Sequence, residues 1–202
     1  MAIDRREAIK KATYFMGGTL SAPAILGVLN GCAPDPKPGW MPTLFDNEQA
    51  LTIQELAETI LPATDTLGAK DLGVPKFIEE MVATVYKEEQ RNKFMAGLTE
   101  FMEEVIDKNG KSFRKLDDAQ KLAVAKEKND YITNPELRTG SSRRGGRWAG
   151  GPPFFWSVKE LTLLGYFTSE YGATRVLQYE LIPAVWEACK PLSEIGVTWA
   201  TS

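Results

Sequence analysis

The 202-residue sequence contains no histidine. Imidazole is the commonest metal ligand and the commonest general base near neutral pH, so a Ser-His-Asp or Cys-His arrangement and a His-ligated haem or zinc site are all excluded. Cysteine is nearly as scarce, with only Cys32 and Cys189, and the single thiol left in the folded part cannot hold an iron-sulfur cluster. Chemistry based on acid, lysine or tyrosine survives these exclusions. Glu160, Glu170 and Glu180 are available for it, but they fit helix surfaces and caps equally well, so no catalytic, cofactor-binding or metal-ligating set is assigned. Strand-like alternation of useful length is also missing, which leaves an all-α class. The net charge is only −3: Arg5, Arg6, Lys10 and Lys11 against Asp4 and Glu7 give the N-terminus +2 and leave the remainder at −5. Such a balance argues against nucleic acid as a partner, because that affinity comes largely from neutralising phosphates. With 43% hydrophobic and 25% charged residues, the chain reads as one globular domain of ordinary composition.

Three segments follow one another. Residues 1–31 read as a leader, with Arg5 and Arg6 ahead of a charge-free run from Ala12 to Gly31. The pair, followed by Ile9 and Lys10, resembles a twin-arginine export signal, which is a receptor-read address rather than part of a fold. A permanent transmembrane anchor is the alternative, weakened by Gly17, Gly18, Pro23 and Gly27. Leu29-Asn30-Gly31-Cys32 resembles a lipobox in which Cys32 carries the lipid; an ordinary thiol behind a signal peptide is the other reading. Residues 32–44 include APDPKPGWMP with four prolines, expected to form an extended, semi-rigid tether. Residues 45–202 form the domain.

Within it, Asp46 and Gln49 have the spacing of a capping box, and Ile53, Leu56, Ala57, Ile60 and Leu61 recur at helical intervals up to Pro62. The loop PATDTLGAKDLGVP follows, rich in turn residues. Its Asp65 and Asp71 read as solvated loop and cap residues, since no glutamate follows at calcium-loop spacing. Val74-Pro75 opens a second helix with a stripe of Phe77, Ile78, Met81, Val82 and Val85. A third runs from about Glu88 to Asp107 on Phe94, Leu98, Phe101 and Val105, and Asn109-Gly110 ends it. A short, charged fourth helix carries Leu122, Ala123 and Ala125, its lysines and glutamates expected to face solvent.

Thr133 to Pro153 is one long polar break containing Arg138, Arg143, Arg144, Arg147 and Trp148. Loops of this length inside a compact domain are usually functional or disordered. Arginine and tryptophan are enriched at protein interfaces, so a segment that orders against a partner and simple disorder both stand. Phe154 then opens the most apolar helix, with Phe155, Val158, Leu161, Thr162 and Gly165 on one face and Leu163, Leu164, Tyr166 and Phe167 elsewhere on the circumference. Such a helix is central, or is shared between a core and a partner, which makes Tyr166, Phe167 and Tyr171 candidates for a partner interface. Gly165 is expected to admit a neighbouring helix and Gly172 to end the element. Beyond it, Pro183, Pro191 and Gly196 limit helices to short pieces of a wrapping tail. There Trp199 is the better interface candidate and Trp186 fits the core. Cys189 is the odd cysteine if Cys32 is lipidated, which points to an intermolecular disulfide or a buried free thiol.

The stretch KELTLLGYFTSEYGATRVLQYELIPAVWEACKPL, Lys159 to Leu192, resembles the signature of the gluconate 2-dehydrogenase subunit 3 family. ETILPATDTLGAKDLGVPKFIEE, Glu58 to Glu80, resembles that family's first block. With the twin-arginine leader and the closing Thr198-Trp199-Ala200-Thr201, the resemblance extends over essentially the whole chain. It implies a small non-catalytic subunit of a periplasmic sugar or polyol dehydrogenase. The partner would be a flavoprotein of the glucose-methanol-choline type that carries the FAD, passing electrons to a cytochrome c or another membrane acceptor. It further implies that the small subunit assists maturation and export of that partner and that Cys189 pairs with the large subunit; with the lipobox reading, a lipid anchor on Cys32 would attach the complex to the membrane. A free-standing envelope lipoprotein that binds a ligand or acts as a scaffold is the competing function.

Overall fold

The computed structural model describes residues 37–134, 153–179, 182, 189 and 191–200. All belong to the second of the two units into which the chain divides, Lys37–Ser202. They form six α-helices: α1 Asn47–Ile60, α2 Val74–Glu80, α3 Glu88–Asn109, α4 Asp118–Thr133, α5 Phe154–Thr168 and the single turn α6 Leu192–Ile195. No strand occurs among the described residues, and the expected all-α class stands.

The helix ends follow local chemistry. Asp46 accepts from the Gln49 amide at 2.8 Å while the Gln49 side chain accepts from the Asp46 amide at 3.0 Å, closing the expected capping box on α1. Asp117 and Gln120 do the same for α4. These reciprocal bonds satisfy N–H groups that have no partner within the helix. Gly110 ends α3 at φ 69°, the left-handed geometry that a side chain would disfavour.

Helix α1 lies in the middle: Ala50, Leu51, Thr52, Ile53, Gln54, Leu56 and Ala57 are all buried. It packs against α2, α4 and α5, while α5 packs also on α2 and α3. The α3 stripe Phe94, Leu98, Phe101 and Val105 is buried as its spacing predicts. The rings of Phe45, Phe94, Phe154, Phe101 and Phe113 follow one another at centroid distances of 5.1 to 6.2 Å, within the range in which aromatic pairs add to burial. The expected close approach at Gly165 is present, since a Cβ there would come within 2.6 Å of Phe77 Cδ1 on α2.

Ion pairs join the outer helices. Lys128 meets Glu104, and Lys108 reaches Glu104 at 2.8 Å and Glu127 at 2.6 Å, linking α3 to α4. Lys121 Nζ sits 2.6 Å from Glu55 Oε2.

Four local expectations are corrected. A single π-helical turn, Met81–Val85, follows α2 directly; its wider winding rotates the following residues around the axis, so Val85 is 61% exposed. On α4, Lys121 is buried against Glu55 and Leu122 is 44% exposed, because the aliphatic stem of the lysine fills the interface while its ammonium meets the carboxylate. Helix α5 stops at Thr168, where Ser169 turns to extended geometry at ψ 154°, and Gly172 begins a second π-helical turn, Gly172–Val176. The segment Gly39–Leu44, expected as tether, is joined to the domain: Gly39 N donates to Gln54 Oε1 at 3.3 Å, and Trp40 and Leu44 pack on the core.

Candidate partner interface

Helix α5 presents two different faces. Phe155, Ser157, Val158, Leu161, Thr162, Gly165 and Tyr166 are buried. The opposite face carries Trp156, Leu163 and Phe167, half-buried, together with exposed Leu164, Glu160 and Thr168. Only one charge interrupts it.

Tyr166 is placed in this chain's own core. It is 4% exposed, and its hydroxyl donates to the Leu67 carbonyl at 2.8 Å and lies 3.4 Å from Thr66 Oγ1. The residue therefore closes the loop between α1 and α2 onto α5. Phe167 stands edge-on to it at a centroid distance of 5.2 Å and remains accessible. Tyr171 is half-buried just before the second π-helical turn. The tail returns to the same end of α5: Gln178 N donates to Thr198 O and Ala200 N to Gln178 O, both at 2.9 Å, which places half-buried Trp199 beside Gln178. Cys189 is exposed and free, so the buried-thiol alternative does not hold. Arg5, Arg6, Cys32, Arg143, Arg144, Arg147, Trp148, Glu180 and Trp186 lie outside the described residues.

Two carboxylates that sequence reasoning passed over organise the surroundings. Glu79 is 3% exposed. Its Oε1 accepts from the amides of Thr43, Leu44 and Phe45 at 2.8, 2.7 and 3.0 Å, and its Oε2 from the Trp40 indole at 2.5 Å. Burial pushes the Glu79 pKa up, but these donors together outweigh it and hold the carboxyl below its ordinary range. The signal was present, since Glu79 lies four residues after buried Pro75 and three before buried Val82. An acid on an apolar face needs donors. Glu58 binds the α1–α2 loop in the same manner, its Oε1 accepting from Ala63 N and its Oε2 from Lys70 N, each at 2.9 Å.

A concave surface of about 410 Å³ opens between α3, α4 and the start of α5, floored by Phe101, Phe154 and Phe155. Its acidic wall is already compensated, since Glu104 is shared by Lys108 and Lys128 and these cations hold its carboxyl low. Glu160 and Glu170 are exposed, and among the described residues no group of three or more Asp, Glu or Cys could hold a metal ion. No described helix is long and apolar enough to cross a membrane.

A family model for gluconate 2-dehydrogenase subunit 3 matches residues 47–183, from the first residue of α1 through α5 and its following turn. The chain belongs to the gluconate 2-dehydrogenase subunit 3 family. No curated protein and no solved structure matches it. As a family member it is an accessory subunit of a dehydrogenase complex.

Proposed function

We propose that this chain is the non-catalytic small subunit of a periplasmic, FAD-dependent sugar or polyol dehydrogenase whose catalytic subunit is of the glucose-methanol-choline type. The observation that carries the reading is the family match over residues 47–183. The absence of histidine supports it, because oxidation of a hydroxyl needs a base near neutral pH and this chain lacks the residue that most often supplies one. In this reading the small subunit assists maturation of its partner. Arg5 and Arg6 direct both chains through the twin-arginine route, and lipidated Cys32 holds the complex at the membrane. Electrons leave through a cytochrome c or another membrane acceptor. Phe167, Tyr171 and Trp199, with Arg143, Arg144, Arg147 and Trp148, face the partner.

Replacing Arg5 and Arg6 together by lysine is expected to leave this chain and the flavoprotein in the cytoplasm and to remove sugar-dehydrogenase activity from the envelope fraction. Normal export of an active flavoprotein without this chain would contradict the escort role. Exposed Cys189 is proposed to form a disulfide with the catalytic subunit. Electrophoresis of the complex without reductant should then give one band at the summed mass, whereas a small subunit migrating at its own mass would remove the disulfide from the account.

A further inference from the structure

We draw no further inference here: the strongest candidate, the concave surface between α3, α4 and the start of α5 floored by Phe101, Phe154 and Phe155, is an unpartnered apolar groove, and nothing in the structure shows what covers it.

Discussion

Replacing Glu79 by alanine is expected to destabilise the domain by about 3 kcal/mol, the order expected when a buried, charged acceptor serving several donors is removed. For a domain of this size the midpoint of thermal unfolding should fall by roughly 6–12 °C. The cost arises because three consecutive amides, Thr43 to Phe45, and the Trp40 indole all lose their acceptor at once. Thr43 is exposed and can recover a water, whereas Phe45 is buried and cannot. Glu79→Gln retains a carbonyl oxygen and should cost about half as much, because its amide nitrogen cannot accept a hydrogen bond. The effect depends on pH with a definite sign. The folded-state pKa of Glu79 is depressed, so its contribution is fully present above the ordinary carboxylate pKa and is lost as pH falls through the folded value. The gap between wild type and Glu79→Ala should therefore be wide at pH 7 and close progressively below about pH 4. Amide exchange at Leu44 and Phe45 should accelerate with it. Equal midpoints at pH 7, with slow exchange preserved at Phe45, would remove Glu79 as the residue that fastens this segment.

Phe101→Ala is expected to cost about 4 kcal/mol, within the range for truncating a buried phenylalanine. Phe101 is 3% exposed, with ring centroids 5.5 Å from Phe113 and 5.6 Å from Phe154. Its removal takes away the contact by which α3 holds both the turn before α4 and the start of α5. Phe101→Leu keeps much of the volume and should cost under about 1.5 kcal/mol. Neither cost should shrink as pH falls below about 4, where the Glu79→Ala gap closes, and this separates the two substitutions in a single series of thermal melts. A loss below about 1 kcal/mol for alanine would mean that the aromatic row does not bear the packing ascribed to it.

Features set by neighbours along the chain were legible in the sequence. The box at Asp46 lies within three residues, and the α3 stripe repeats at intervals of four, three and four. Gly165 also announced itself, since a glycine on the buried face of an otherwise apolar helix has few uses besides close packing. The misreadings share a different character. Nothing in MVATV marks a π-helical turn, and one such turn is enough to move Val85 from the predicted stripe to solvent. Lys121 looked solvated because its partner Glu55 lies 66 residues away, and Leu122 looked buried because one apolar residue among charges draws the eye. Tyr166 is the instructive case for the candidate interface. Periodicity alone could not decide whether a tyrosine near the edge of the apolar face meets a partner or its own chain, and the answer came from the Leu67 carbonyl, 99 residues away. Residues such as Glu58 and Leu67 were hidden for the same reason, in a loop whose shape depends on contacts at both its ends.

A domain without histidine, an apolar outer face on α5 and the family match together support the proposal that this chain works only in company with a catalytic flavoprotein. Purification of the full chain from its own cells under native conditions tests that claim most directly. A flavoprotein in one-to-one amount, recognised by its flavin absorption and carrying sugar-dehydrogenase activity, is the predicted result. Recovery of the chain as a lone monomer, together with undiminished dehydrogenase activity in cells that lack it, would contradict it.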